Sequence, residues 1–557
     1  MGNSHSSPLP CAHHQPKSRA FRRQRSAVFS RISLGCPSVA ESASSQDSAT
    51  VINEKVPRPK HQLSHSSSLP TLLNVAYAPS EGVSGDAVAA YNAFLRDFPE
   101  YRSTWILDTL RRTDYTRLEH TGETYVDYMG GALFPESLIK VHTDFLSRNV
   151  MGNTHSAPPE YTVVFTANAT GALKLVGESF PFTGGSSYVL GSDAHNSVHG
   201  IRQYATVRGA KVAYIPSTPN GGFEASTAKN ILLRNRPRSR ELAPSLFALT
   251  GQSNISNSKN PLSMIAYAGS LGYHTILDAA ALAPTSAFSL KEHPVDAMAV
   301  SFYKMFGFPT GVGALIVKES FLAQLQRPWF AGGTVDVVQV PGTIVTRAHK
   351  LHEQFEDGTI NYLTLPAITD GLQFLSAYLP FLPLRLSSLL HYLVDSLSIL
   401  CHDTTGSPVV RILSRLPTRR LKSVGDQTET GSTVSLIFLD PKGEMIPNSF
   451  IEYSASKQFI SLRTGCMCNP GAAAAILGIQ EDMDKLYHGV TLKDFEHAVG
   501  RELGVVRISL GLASNFQDVW KVLRFAGSMG IEKARMALWE RWMESKGGSA
   551  CCVGQAL

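Results

Sequence analysis

Short apolar runs alternate with amphipathic segments from residue 86 onward. The runs are rich in β-branched and aromatic residues, and they are predicted to be strands at 162–165, 188–190, 211–215, 246–249, 275–277, 297–301 and 314–317. The segments between them have a helical pattern, and stacked βα units of this kind form a mostly parallel sheet. Ligands bind at the carboxyl ends of the strands in such sheets, so the residues that directly follow these runs are the first candidates for function.

The pattern changes at about residue 370 to a long Leu-rich helical stretch. Further strands are predicted at 409–413, 434–439, 459–462 and 505–510. We therefore predict an α/β fold with an N-terminal segment and large domain over 85–368 and a smaller α+β domain over 369–545. Residues 1–84 are rich in Ser, Pro, His and Arg and are predicted to be a disordered leader, and 546–557 are predicted to be a loose tail.

Composition and charge exclude several classes of protein. A chain of 557 residues with 43% hydrophobic and 17% charged residues can bury a large core. Its most apolar stretch, 371–400, is interrupted by prolines and charged side chains, so no membrane-spanning helix is predicted. The net charge of +6 equals the basic residues of the first 40 positions, so the rest is electroneutral and nucleic-acid binding has little support. These residues are Lys17, Arg19, Arg22, Arg23, Arg25 and Arg31.

The seven cysteines are too few and too scattered for a disulfide scaffold, which favours a reducing, cytoplasmic compartment. The leader leaves three alternatives open. Residues 1–6 fit a myristoylation pattern, and the basic and Ser-rich composition fits a mitochondrial transit peptide. A solvated tail without a targeting signal fits equally well.

Lys304 and Asp278 are the first candidate functional pair. Lys304 lies just past an apolar strand, in a segment with three glycines, and Asp278 ends the preceding core strand, where a buried carboxylate needs a partner. Pyridoxal phosphate requires a lysine for covalent attachment and an aspartate that pairs with its pyridinium nitrogen. The two positions therefore indicate a pyridoxal phosphate site.

Two further segments fit that cofactor. A predicted strand, a tight turn and a helix bring the amides near Ala169 and Thr170 to a helix N-terminus, where a phosphate can bind. His195 follows another strand and could stack on the cofactor ring. An ordinary capped turn and a capping histidine are the structural alternatives at these two places.

A loop with two thiols and an arginine, 463–471, is the most informative segment. Cys466 and Cys468 lack a second Cys or His pair at the spacing of a zinc site, and a disulfide between them would be strained. A mobile, partly exposed thiol near Arg463 is suited to nucleophilic chemistry, because a cation favours the thiolate. The arginine side chain can hold a substrate carboxylate.

Taken together, these motifs resemble the cysteine desulfurase group of the class V, fold-type I pyridoxal phosphate enzymes, and within it the sulfurase part of molybdenum cofactor sulfurases. The resemblance covers about 120–530. Its landmarks, in the family's order, are 125–132 (YVDYMGGA), 169–178 (ATGALKLVGE), 195–198 (HNSV), 252–254 (QSN) and 463–471 (RTGCMCNPG).

The resemblance implies a role for each candidate. Lys304 carries the cofactor, Asp278 pairs with its ring nitrogen, His195 stacks on the ring, and Asn254 lies near the ring hydroxyl. Ala169, Thr170 and Ser301 hold the phosphate, and Arg463 holds the substrate carboxylate. Tyr303 stands where many relatives have a histidine, and Ala281 where many have a polar residue. The family's persulfide cysteine follows its arginine by five positions, which implies Cys468, with Cys466 as an auxiliary.

The implied activity is transfer of sulfur from L-cysteine to Cys468 as a persulfide, release of alanine, and delivery of the sulfur to an acceptor. The chain ends at Leu557 without the family's C-terminal acceptor domain, so a separate molybdenum cofactor partner or another acceptor is expected. A homodimer is implied as well, with Gly332, Gly333 and Thr334 reaching the neighbouring phosphate. A class V aminotransferase or carbon–sulfur lyase that does not use the thiols, and a non-catalytic scaffold, are the alternatives.

Overall fold

The computed structural model describes residues 85–149 and 160–547. The predicted disordered leader, 1–84, lies outside the described residues, together with the targeting and lipidation hypotheses that concern it. The predicted tail begins inside the last helix, which extends to Gly547, and its remaining residues also lie outside them. None of the described helices is long and apolar enough to cross a bilayer.

The strands of the described residues belong to two larger sheets and two short pairs. They are β1 (Thr124–Tyr125), β2 (Tyr161–Thr166), β3 (Ser187–Gly191), β4 (Lys211–Ile215), β5 (Leu246–Thr250), β6 (His274–Asp278), β7 (Ala297–Ser301), β8 (Gly313–Lys318), β9 (Val335–Val338), β10 (Val345–Arg347), β11 (Val410–Ile412), β12 (Thr433–Phe438), β13 (Ile460–Ser461), β14 (Arg463–Gly465) and β15 (Val505–Ser509).

The α-helices connect and cover these strands. They are α1 (Gly85–Asp97), α2 (Trp105–Asp114), α3 (Thr116–Thr121), α4 (Glu136–Arg148), α5 (Ala169–Ser179), α6 (Asn196–His199), α7 (Ile201–Val207), α8 (Ala225–Arg234), α9 (Ser263–Ser270), α10 (Phe302–Phe306), α11 (Glu319–Leu322), α12 (Leu365–Tyr378), α13 (Leu382–Ser398), α14 (Asn448–Ser456), α15 (Pro470–Leu477), α16 (Leu492–Val499), α17 (Phe516–Gly530) and α18 (Glu532–Gly547). Short 3₁₀ helices occur at Pro99–Thr104, His352–Phe355, Tyr362–Thr364 and Glu481–Lys485.

The central sheet has seven strands in the order β2-β8-β7-β6-β5-β3-β4. Strands β7, β6, β5, β3 and β4 are parallel, and β8 is antiparallel to both β7 and β2. Successive side chains enter two different core clusters: Val189 and Leu277 lie in one, Tyr188 and Ile276 in the other. Both faces of the central sheet are therefore buried. This explains why its strands are continuous apolar runs in the sequence. The predicted α/β fold with a mostly parallel sheet is confirmed.

The C-terminal part forms an antiparallel sheet in the order β11-β12-β15-β14. Three of the strands predicted there coincide with β11, β12 and β15. The fourth, predicted at 459–462, divides differently, because β13 pairs in parallel with β1 and the chain enters the small sheet only at β14. Phe459, directly before β13, has a φ of 55°, which redirects the chain there.

The N-terminal helices pack against C-terminal ones. Phe94 of α1 contacts the rings of Tyr392 in α13 and Phe516 in α17. Arg111 of α2 donates hydrogen bonds to the Asp518 carboxylate of α17 at 2.6 and 3.0 Å. The described residues, 85–149 and 160–547, belong to one compact unit, so the domain boundary predicted at 368/369 stays a prediction.

Replacing Arg111 with Met should destabilise the protein by about 3–5 kcal/mol, because the Asp518 carboxylate, 2% exposed, would lose its cation. Denaturant unfolding measures the loss. Arg112→Met, at the exposed neighbour on the same helix, is the control and should change the free energy of unfolding by less than about 0.5 kcal/mol. Equal losses in the two variants would contradict a structural role for the buried pair.

Candidate functional site

A cavity opens at the carboxyl ends of the parallel strands. It brings together the residues predicted from strand ends and motifs, namely Ala169, Thr170, His195, Asn254, Asp278, Ser301, Tyr303 and Lys304. Its wall also includes Ala281, at a position where the resemblance implied a residue facing the cofactor. Further wall residues, for which the sequence indicated no contact with a ligand, are Asn168, Leu173, Ser197, Thr250, Gln252 and Ala280. Among the described residues there is no group of His, Cys, Asp and Glu that could hold a metal ion.

Lys304 and Asp278 line the same cavity because their strands are neighbours. Asp278 ends β6, β7 pairs with β6 in parallel, and Lys304 lies in α10, which starts directly after β7. Burial lowers the pKa of the Lys304 amine, and the Asp278 carboxylate opposes that shift. The cavity therefore holds an amine with an increased neutral fraction close to a buried carboxylate, as attachment of pyridoxal phosphate requires.

The turn before α5 forms the predicted anion site. Asn168 caps the helix, its Oδ1 accepting from the Gly171 amide at 3.0 Å. The Ala169 amide donates to Ser301 Oγ at 2.9 Å, and Thr170 Oγ1 lies 2.7 Å from Ser197 Oγ. The hydroxyls and the helix N-terminus thus converge on one end of the cavity, which fits a phosphate group.

His195 caps a helix and also lies in the cavity wall, so the two sequence-based interpretations are compatible with each other. Its ring lines the cavity, and its Nδ1 accepts from the Ser197 amide at 3.1 Å, which caps α6. Burial lowers the pKa of His195, Asp278 opposes the shift, and Lys304 adds to it. Because Nδ1 is the acceptor, the neutral ring carries its proton on Nε2. A neutral imidazole held at this position can stack on an aromatic ring.

Gln252 is a cavity residue to which the sequence assigned no role. Its side chain is 1% exposed, and neither Oε1 nor Nε2 has a hydrogen-bond partner among the described residues. The Asn254 amide, predicted to lie near the ring hydroxyl, lines the cavity and is also engaged by the cysteine loop: its Nδ2 donates to Met467 O and its Oδ1 accepts from Asn469. A buried, unpaired amide is costly, so Gln252 indicates that the cavity accommodates a polar ligand. The residues present fit pyridoxal phosphate.

Arg463 lies outside the residues that line the cavity, in an ion-pair cluster beside it. Its Nη2 and the Nη2 of Arg507 lie 2.8 and 2.7 Å from separate oxygens of the Asp127 carboxylate. The two arginines are directly opposite each other in β14 and β15, a repulsive arrangement that Asp127 compensates. Both guanidinium groups lower the Lys304 pKa, and Arg507 does so more strongly.

Arg507 is the functional candidate that the sequence analysis missed. It is 2% exposed, Nη1 donates to Asn254 O at 3.0 Å, and Nε has no partner among the described residues. The sequence does show Arg507 as a charged residue inside the predicted strand 505–510. A buried charge needs a partner, and this is the same argument that identified Asp278. Asp127, within a predicted motif, is the carboxylate that holds both cations.

Cys466 and Cys468 are free thiols on the turn that follows β14. Cys468 is exposed, whereas Cys466 is partly buried and burial raises its pKa. Neither thiol lines the cavity, but Cys468 O accepts from the Asn196 amide, next to His195, at 2.7 Å. Thr334 also lies outside the cavity: it is fully buried, and its hydroxyl bonds within its own turn to Ala331. The contact predicted for Thr334 is with the phosphate of a neighbouring subunit, and it stays a prediction.

Comparisons with known proteins place this chain among similar sequences and folds. Residues 146–398 match the family Aminotransferase class-V. Molybdenum cofactor sulfurase of Danio rerio is 33% identical over 459 residues, covering 74% of this chain and 54% of that protein, and its counterpart in Arabidopsis thaliana is 31% identical over 496 residues, covering 78% and 60%. The chain thus spans little more than half the length of these curated relatives.

Solved structures show the same fold. An apo cysteine desulfurase from Thermococcus onnurineus superimposes with a TM-score of 0.58 at 20% identity, covering 76% of this chain and 97% of that one. A cysteine desulfurase from Escherichia coli gives 0.55 at 19% identity, covering 76% and 98%. The chain therefore carries the aminotransferase class V domain of the fold-type I, pyridoxal phosphate-dependent enzymes, and the family resemblance predicted from its motifs is confirmed.

Proposed function

We propose that this protein is a cysteine desulfurase that moves sulfur from L-cysteine to Cys468 and then to an acceptor. The observation that carries the proposal is the convergence of Lys304, Asp278 and the cysteine loop on one cavity: Asn254, in the cavity wall, donates to Met467 O at 2.6 Å. An aminotransferase needs the first two groups but has no use for a thiol held at this place.

Each group in the cavity has a defined task in that reaction. Bound pyridoxal phosphate supplies the electron sink for the bonds broken at the substrate. Asp278 holds a proton on the ring nitrogen, and the neutral amine of Lys304, favoured by burial, takes the proton from the substrate α-carbon. The Cys468 thiolate attacks the substrate sulfur, so a sulfur–sulfur bond forms as the carbon–sulfur bond breaks. The carbon product becomes alanine after protonation.

The sulfur should be found on Cys468. Incubation with L-cysteine and mass analysis of the peptides should give an adduct of about 32 Da, one sulfur atom, on the Cys468 peptide. Cys468→Ser should abolish the adduct and alanine release because the nucleophile is lost, and Lys304→Ala because the general base is lost. Cys466→Ser should retain both, and Cys401, an exposed free thiol, is the internal control. Full turnover by Cys468→Ser would support the aminotransferase or lyase alternative, and a protein without any turnover would support the scaffold.

The substrate carboxylate has two candidate sites. Arg463 was predicted from the resemblance, but its side chain is 53% exposed and lies against Asp127. Arg507 is buried and retains an unpartnered Nε. Neither arginine lines the cavity itself, but Arg507 donates to the backbone carbonyl of Asn254, a residue of the cavity wall. We propose that Arg507 provides the main contact and that Arg463 holds Asp127.

Arg507→Lys should raise the KM for L-cysteine about tenfold or more, because lysine cannot reproduce the planar arrangement of donors. Arg463→Lys is the matched comparison, since both residues bind Asp127, and it should raise KM less than about threefold. Steady-state kinetics of alanine release measures both values. A larger increase of KM in Arg463→Lys would show that Arg463 provides the main contact with the substrate carboxylate.

We propose that the enzyme is a homodimer and that its acceptor is the molybdenum cofactor, the group that appears in the names of its curated relatives. The support for a dimer is local. Val337, Val340 and Ile344 are exposed on and between β9 and β10, and this hairpin directly follows Gly333 and Thr334, the turn predicted to reach the neighbouring subunit.

Val340→Glu should convert the dimer into a monomer at micromolar concentration, because a charge would be buried at the interface. Sedimentation velocity measures the change. Val207→Glu is the matched control: Val207 is 86% exposed and Val340 85%, but only Val340 lies on the hairpin. A wild-type protein that is monomeric and fully active in dilute solution would contradict the dimer.

A further inference from the structure

Asp193 is a buried carboxylate that neither lines the cofactor cavity nor pairs with a cation among the described residues. It follows β3 and is 2% exposed. Its Oδ1 accepts from Ser253 Oγ at 2.6 Å and from Asn469 Nδ2 at 2.7 Å. Its Oδ2 accepts from Ser256 Oγ at 2.5 Å and from the Gly222 amide at 2.8 Å. Four donors from three distant segments therefore satisfy one charge.

One of those donors belongs to the cysteine loop. Asn469, fully buried, donates from Nδ2 to Asp193 and also to Asn254 Oδ1 at 3.1 Å, while its Oδ1 caps α15 by accepting from the Ala472 amide. The two preceding residues are held through their carbonyls, Met467 by Asn254 Nδ2 and Cys468 by the Asn196 amide. Three consecutive residues are thus bonded to the wall of the cofactor site.

The backbone of the loop requires this support. Met467 and Cys468 have φ values of 55° and 54°, in the left-handed region that costs a non-glycine residue about 1–2 kcal/mol. Such a conformation persists only where the surroundings impose it. Gly471 shows how close the contact is, because a Cβ there would lie 2.1 Å from Ser192 O. The segment that carries His195 and the segment that carries Cys468 are therefore packed backbone to backbone.

We propose that Asp193 and Asn469 are positioning residues that hold the strained Cys468 turn against the cofactor site. The inference rests on the proposed function of Cys468 as the sulfur carrier. The nucleophile is then held in place by its turn, in contrast to the mobile loop predicted from the sequence. A persulfide on Cys468 then stays beside the cavity, so the acceptor must bring its own atom to that place.

The test breaks the contact and keeps the helix cap. Asn469→Asp retains an oxygen for the Ala472 amide but presents a carboxylate oxygen to Asp193. Hydrogen–deuterium exchange should become about tenfold faster or more at the Asn196 amide, because its hydrogen bond to Cys468 O forms only while the loop is docked. The rate of sulfur transfer to Cys468 should fall, with little change in the KM for L-cysteine. Asn235→Asp, the same substitution at a side chain that donates to Ile231 O at the end of α8, is the control and should change neither quantity.

The reciprocal variant tests the pair directly. In Asp193→Asn combined with Asn469→Asp, a donor again faces an acceptor, so exchange at Asn196 should slow toward the wild-type rate. If Asn469→Asp folds poorly, Asn469→Ser keeps a capping oxygen and is too short to reach Asp193. Wild-type exchange in the single variants, or no recovery in the double variant, would overturn the inference. Exchange is measured without substrate, so failure of the wild type to accept sulfur would count against the proposed function alone.

Discussion

The burial of Lys304 beside Asp278 is the constraint on which the rest of the site depends. An amine and a carboxylate are both costly to remove from water, and here adjacent parallel strands bring them to one cavity. Burial lowers the Lys304 pKa and the Asp278 carboxylate opposes that shift. The helix N-terminus of α5 and the ring of His195 extend the same cavity.

Two further buried carboxylates connect distant parts of the chain to that cavity. Asp127, from the N-terminal segment, binds Arg463 and Arg507 of the C-terminal sheet. Asp193, after β3, binds side chains of the 253–256 segment and of the cysteine loop. Since each carboxylate is satisfied by groups from separate segments, the two arginines and the cysteine loop have defined positions only when these segments are folded together.

The site residues that the sequence predicts and the one that it misses differ in their positions relative to the strands. Lys304, Asp278 and His195 each follow an apolar strand, and the shared edge of a parallel sheet makes them neighbours. Arg507 lies within a strand and was read as part of a core run, although its burial requires a partner. The loop thiols were expected to be mobile because a Gly-containing loop after a strand is usually so. The hydrogen bonds that hold Met467, Cys468 and Asn469 join them to residues more than 200 positions away.

The sequence by itself determined the seven strands of the central sheet, its mostly parallel order and the set of groups at the ends of those strands, because the apolar pattern of each strand is a local property of the chain. The tertiary structure decided which cation is buried next to Lys304, how Asp127 is shared between two arginines, and that the Cys468 turn is docked. These features depend on the positions of individual polar atoms from distant segments, and no local pattern encodes which buried donor meets which acceptor.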